Sequence, residues 1–218
     1  MKKQLLNRIL IYAVGVVILA LGIDLTTRTG IGVLPLSAIP FGISEAFGMP
    51  FSVANFVFYV LLVAGQFLLR GNNRQWTDLL QLPFSVVFSA LIGVFSVLPI
   101  HPEQWWEKAL LLVIAIALNG AGVSMSVHMK LVPNPAEGLT EALSVKLGKS
   151  IGFTKNLVDM SCVVLAFLVD LIFGTLWTSV GFGTVLAMVT IGRAVALFDH
   201  FFKDRMLRAA GLEPTAKS

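Results

Sequence analysis

Charge is scarce in this chain. Asp, Glu, Lys and Arg make up 13% of its 218 residues, about half of the ~25% that soluble globular domains carry. Too little polar surface remains to cover an aqueous globule, and the class left is an integral membrane protein. Cysteine is scarcer still, with Cys162 the single one. One thiol closes no intramolecular disulfide, and clusters held by several cysteines are excluded. Enzyme signatures are missing too. The sequence has no HExxH, no GxSxG elbow, no phosphate-binding Gly-rich loop and no His/acid grouping suited to a metal. No enzymatic activity, cofactor or metal is therefore expected. The net charge of +4 does not point to nucleic acid, because the basic residues sit in short flanks between apolar runs, where they act as orientation signals.

What the chain has in abundance is apolar length: 56% hydrophobic residues and a mean hydropathy of +0.86. Hydropathy predicts six spans, at about Ile9–Leu25, Val53–Leu69, Leu79–Ile100, Ala109–Met129, Leu157–Phe173 and Leu176–Phe198. Most approach the ~20 residues needed to cross a bilayer. The start, "MKKQLLNRILIYAVGVVILALGIDL", has the basic head of a secretory signal but no convincing small-residue cleavage site. It is read as a retained first helix.

Lys2, Lys3 and Arg8 precede the first span, and Arg70 and Arg74 follow the second. Lys130, Lys146, Lys149 and Lys155 lie between the fourth and fifth, and Arg193, Lys203, Arg205 and Arg208 at or beyond the end of the sixth. The alternate connections are poor in base, holding Arg28 and Lys108. This bias predicts both termini in the cytoplasm of a cell with the chain in its inner membrane, and puts Trp105, Trp106 and Trp177 in an outer aromatic belt.

Sliding the sequence by about one hundred residues aligns Gly22 with Gly122, Pro35 with Pro135, Ser44 with Ser144 and Gly48 with Gly148. Span boundaries align as well, and "IG" at Ile92 matches "IG" at Ile191 after a one-residue slip. The expectation is one membrane domain, 1–218, of two repeats at about 8–100 and 108–200. Three spans per repeat is an odd number, so the second copy would enter the membrane upside down. Inverted repeats of this kind are the usual architecture of secondary transporters. The fold class expected is an all-α membrane protein: six transmembrane helices as two inverted three-helix repeats, each with a short Pro-led re-entrant or interfacial helix.

"ILALGIDLTTRTGIGVLPLSAIPFGISEAFGMPFSVANFVFYVLLV" resembles the first half of the YczE/YitT-type bacterial membrane proteins, and "GTVLAMVTIGRAVALFD" their closing span. The resemblance rests on diffuse glycines and prolines and implies fold and membrane location more than activity. Members often carry an aromatic and an acid after the proline; here Leu36 and Ser37 follow Pro35, so a role for that acid does not transfer.

"VPNPAEGLTEALSVKLG" is the most polar stretch. Asn134 suits an N-cap, Pro135 the first helical position and Glu137 the third place of a capping box. Gly148 stops the helix, Lys146 and Lys149 complement its negative end, and Leu139, Leu143 and Leu147 form a stripe. The spacing predicts a short amphipathic helix over 135–147 with a more apolar counterpart over 35–47. Two readings stay open. The pair lies flat at the two membrane surfaces, or it dips inward from opposite faces with unpaired amide donors around 34–37 and 134–137 offered to an anionic or polar solute.

Polar residues inside spans are costly and face cavities or one another. Asn119, Ser124, Ser126 and His128 line the fourth span, with Asp24, Thr26 and Arg28 in matching places of the first. His128 is suited to proton coupling, while a snorkelling Arg28 and an interfacial His128 are the plainer reading. Asp159 and Arg193 are expected to form a structural ion pair. The function expected is a small-solute secondary transporter or facilitator. Its candidate binding residues are Asp24, Arg28, Ser37, Asn55, Asn119, Ser124, His128, Asn134 and Glu137. A non-transporting solute- or partner-binding subunit of a larger transport complex is the second reading. The partners expected are the lipid bilayer and a small polar or anionic solute, and the chain's size permits a homodimer.

Overall fold

The computed structural model describes residues 2–73, 75–175 and 178–212; the expectations for Arg74, Leu176 and Trp177 fall outside them. Among the described residues the regular structure is entirely helical: α1 (Lys2–Arg28), α2 (Pro35–Phe47), α3 (Phe51–Arg70), α4 (Gln81–Phe95), α5 (Trp105–His128), α6 (Pro135–Leu147), α7 (Ile151–Phe173) and α8 (Phe182–Ala209), with short 3₁₀ turns at Gly71–Asn73 and Trp76–Leu80. Six helical segments are long and apolar enough to cross a membrane: Lys3–Arg28, Phe51–Arg70, Trp76–Phe95, Trp105–His128, Ile151–Phe173 and Phe182–Ala209.

The first and fifth helices start before their predicted bounds, at Lys3 and Ile151, and the sixth runs on to Ala209, while two spans fall well short of a predicted bound. The third stops at Phe95 rather than Ile100 because Arg28 takes the carbonyls there: Nη2 donates to Phe95 O at 2.7 Å, and Nη1 to Leu98 O at 2.6 Å and Ile100 O at 3.3 Å. A cation on the last carbonyls of a helix satisfies groups that have no intrahelical partner. The sixth begins at Phe182 rather than Leu176. Residues before it are held against the stretch after α1, with Val33 N–H on Ser179 O at 3.2 Å and Gly183 N–H on Ile31 O at 2.7 Å. Hydropathy sees apolar side chains there, whereas the backbone is committed to another strand of chain.

Small residues set the central crossing. A Cβ on Gly15 would lie 2.6 Å from Met125 Cβ, one on Gly22 2.6 Å from Asn119 Nδ2, and one on Gly122 2.7 Å from Leu19 N. Thus α1 and α5 touch backbone to backbone, which is how helices associate where lipid supplies no hydrophobic drive between them. Similarly Gly120 admits Ala194 of α8. Around this crossing Tyr59, Phe84 and Phe88 stack, at 5.7 Å and 5.5 Å between centroids, within a core shared by Leu112 and Ile116.

The two short helices run their predicted lengths, and each packs on a long helix distant in the chain. Helix α2 lies on α7 and α6 on α3. Ala38 clusters with Ala166, Gly42 faces Asp170, and the Phe47 ring meets Phe173 at 5.0 Å. On the other side Asn134 stands at Tyr59, Gly138 at Gln66 and Glu141 at Arg70. Their buried positions correspond: Pro35, Ala38, Pro40, Gly42 and Ser44 in α2, and Pro135, Gly138, Thr140, Ala142 and Ser144 in α6. The stripe of Leu139, Leu143 and Leu147 is therefore not the deeply buried face. A helix wedged between others approaches closely only through small side chains, so the leucines are left at its margins, with Leu147 exposed. Both helices end in a left-handed glycine, Gly48 at φ 61° and Gly148 at φ 62°, where glycine alone carries no steric penalty. Both are locked alike: Ser44 Oγ donates to Met49 O at 2.7 Å and Ser144 Oγ to Lys149 O at 2.9 Å. One correspondence fails, since α3 packs on α4 whereas α7 and α8 stand apart.

Candidate functional site

The start of α6 is built by its own residues. Asn134 adopts an extended N-cap conformation, φ −61° and ψ 141°, and its Oδ1 accepts the Ala136 N–H at 3.0 Å. The predicted capping box does not close, because Asn134 Oδ1 takes the N–H of Ala136 and not that of Glu137. Pro135 has no N–H to offer, and the Gly138 N–H reaches Asn134 O at 3.0 Å. Of the amide donors expected to be open here, the Ala136 N–H is thus taken up by the helix's own cap. What Asn134 presents outward is its Nδ2, donating to the Tyr59 hydroxyl at 3.2 Å in the interior of α3. Burial pushes the Glu137 carboxyl up to about 7, against the pull of Lys155 and of the Asn134 N–H, so it changes protonation near neutral pH.

Four residues further along α6 lies the most unusual chemistry in the molecule. Gln66 of α3 and Gln81 of α4 are completely buried, and neither carboxamide has a hydrogen-bond partner at either its oxygen or its nitrogen. Both press on Gly138: a Cβ there would collide with Gln66 Oε1 and stand 2.8 Å from Gln81 Nε2. Buried polar groups are nearly always bonded, so four orphaned atoms in one place mark a site that something else completes. One turn outward Arg70 bridges Asp78 at 3.1 Å and Glu141 at 3.5 Å. Beyond it opens a cavity of about 360 Å³ lined by Arg70, Asn73, Gln75, Glu141 and Lys146. Along the α3–α6 seam the order is therefore hydroxyl and amide, orphaned carboxamides, ion-pair cluster, open cavity.

The α2–α7 seam is different. Ala38 and Ala166 occupy the places of Gly138 and Gln66 one hundred residues on, and pack dry with Val33 and Val180. Fully buried Asp170 accepts the Ser179 N–H at 3.1 Å and the Ser179 hydroxyl at 2.8 Å, which ties down the loop before α8. A second cavity of about 410 Å³ opens on this helix, lined by Thr27, Gly32, Phe41, Glu45 and Thr178. It sits at positions 41 and 45 of α2, as the first sits at 141 and 145 of α6.

The remaining candidates do not converge on one place. Asp24 is paired with Arg28 at 2.7 Å, and Arg28 spends its other donors on the end of α4. Ser37 is buried in the first turn of α2. Asn55 donates to Ser89 Oγ at 3.2 Å. Asn119 lies at the α1–α5 crossing, its Nδ2 on Ala115 O at 2.8 Å and its Oδ1 without a partner. Ser124 and His128 share Asp199 of α8, the Ser124 hydroxyl donating to it and His128 Nε2 standing 2.9 Å from it. Arg28 and His128, one hundred residues apart, thus latch α1 to α4 and α5 to α8. Asp159 pairs with Lys155 at 3.5 Å, one helical turn away on α7, and not with Arg193; a partner on the same helix is closer than one on α8, which stands off from α7. Tyr59, Gln66, Gln81 and Asp199 went unpredicted, though polar side chains within the apolar runs "YVLLVAGQFLL" and "LLQLPF" were signal enough for three of them. Among the described residues, no group of three or more His, Cys, Asp and Glu could hold a metal ion.

A family described as a family of unknown function (DUF6198) matches residues 6–200, and the chain belongs to that family. It is similar to the uncharacterized membrane protein YczE of Bacillus subtilis, 23% identical over 193 residues that cover 88% of this chain and 85% of that one. It is also similar to the uncharacterized protein YyaS of the same organism, 24% identical over 188 residues, 86% of this chain and 90% of that one. No solved structure matches. The chain is a membrane protein with several spanning helices, of the YczE type.

Proposed function

We propose that this chain is a small-solute transporter or facilitator of the bacterial inner membrane, working by alternating access between two inverted three-helix halves. The observation that carries the reading is the exchange of short helices. Each Pro-led helix belongs to one half by sequence and packs on a long helix of the other, at matching positions and with matching caps. The starts of both helices lie alongside the interior of the helices they pack on, and their ends alongside the last turns. This favours the dipping geometry over the flat one, with a cavity over each outer end. Rocking one half against the other would open one cavity inward as it closes the other, the general scheme of inverted-repeat carriers. In this arrangement the termini, with Lys3, Arg8 and Arg208, face the cytoplasm.

Proteoliposomes holding the purified chain, followed by light scattering in gradients of a panel of small neutral and charged solutes, test this directly. Flux of at least one solute above that of empty liposomes is the expected outcome. Solute binding without any flux would support the second reading, a solute-binding subunit of a larger assembly. One observation favours that alternative: α7 and α8 stand apart where α3 and α4 are packed, which leaves a flank that a partner or a second copy could enter.

A further inference from the structure

We propose that Gln66 and Gln81 are the solute-reading pair of this protein, and that the group they read is a neutral amide-type edge: a carboxamide, a urea or a ring lactam, with N–H beside C=O. The inference rests on the transport-path reading of the α3–α6 seam and adds the class of solute to it. Each glutamine side chain holds one acceptor oxygen and one NH₂ donor. All four atoms are buried and unpartnered, and both side chains lie against the same glycine. A cation placed there would engage the two oxygens and leave both NH₂ groups orphaned. An anion would engage the two NH₂ groups and leave both oxygens orphaned. A neutral group presenting donor and acceptor side by side engages atoms of both kinds, and a site whose buried polar groups stay unpaired rejects the wrong solute strongly.

The neighbouring charges agree with a neutral solute. Arg70 is engaged by Asp78 and Glu141, so it offers no free countercharge. Gly138 gives the pair its place, since its missing side chain is what lets both carboxamides meet on α6. The corresponding position of α2 is alanine on alanine, with nothing to read. One turn out along both helices this seam opens into a cavity lined by Arg70, Asn73, Gln75, Glu141 and Lys146 together with Leu69 and Val145, and the Arg70 cluster stands between it and the glutamines.

Calorimetry and thermal-shift measurements on the detergent-solubilised full chain test the proposal with acetamide, urea and nicotinamide as probes, and with acetate and methylammonium as charged controls. The wild type is expected to bind at least one amide probe and neither control. Two variants are read beside it: Gln66→Leu/Gln81→Leu, which removes all four orphaned atoms together, and the milder Gln66→Met. Both are expected to bind the amide probe at least tenfold more weakly. Equal binding by the variants, comparable binding of the controls, or no binding of any amide probe (the mark of carboxamides satisfied by water alone) overturns the assignment. Because the readout is binding, it is independent of flux. Binding lost in the variants with no flux in proteoliposomes sinks the transporter reading alone, whereas flux of solutes that the variants handle like wild type sinks the glutamine pair alone.

Discussion

At position 138 a single methyl group is expected to matter. Gly138→Ala drives a Cβ into Gln66 and Gln81, and overpacking of this kind costs about 1–3 kcal/mol. Gly192→Ala is the control: it meets nothing within 4 Å in mid-α8, so it should raise stability by up to ~1 kcal/mol through helix propensity. Thermal denaturation in detergent reads both. Glu137 supplies a pH dependence. Its folded carboxyl titrates near 7, against about 4.3 when unfolded, so the fold holds the proton more tightly. The stabilisation is fully present below about pH 4 and is lost as pH rises through 7. Glu137→Gln has no carboxyl to titrate, so the wild type's midpoint should fall relative to the variant's between pH 5 and 8; parallel curves would show that folding does not shift this carboxyl. Arg28→Met leaves Asp24 buried and uncompensated and frees three carbonyls of the α4 end, a loss of about 3–5 kcal/mol. Asp24→Asn combined with it should recover part of that loss.

Helix by helix, legibility followed how local the cause is. The bounds of α6 were readable because Asn134, Pro135 and Gly148 act on their own backbone, and the apolar lengths of α1, α3, α5 and α7 are properties of single segments. Which face of α6 is buried was not readable. The leucine stripe points to an apolar interface, yet the helix is wedged between neighbours that admit its smaller residues, Gly138, Thr140, Ala142 and Ser144 among them, and those neighbours lie far away in sequence. Likewise Asp199 and Gln81 acquire meaning only when α8 meets α5 and α4 meets α6. The paired caps give a prediction at this scale. Ser44→Ala and Ser144→Ala each remove one bond to the residue past the glycine and should each cost about 0.5–1.5 kcal/mol, in equal measure if the two helices are true equivalents.

Taken whole, the molecule offers a test of its symmetry through its one thiol. In a Cys162→Ser background, Glu45→Cys and Val145→Cys each place a cysteine on an exposed position at one cavity. A membrane-impermeant maleimide should label the first in intact cells and the second only in inside-out vesicles; labelling of both from one side would sink the inverted arrangement. The exchange of short helices also bears on how the chain is made. When α2 leaves the ribosome its seat on α7 does not yet exist, and about a hundred residues must follow before it does. At roughly 5–20 residues per second that is a wait of about 5–20 s, during which a helix carrying Pro40, Gly42 and Ser44 on its inner side has no groove to enter. Helix α6 never waits, since α3 is in place before it is synthesised. The more apolar composition of α2 suits a helix that must lodge in lipid while its partner is awaited, and the polar composition of α6 suits one that moves straight into protein.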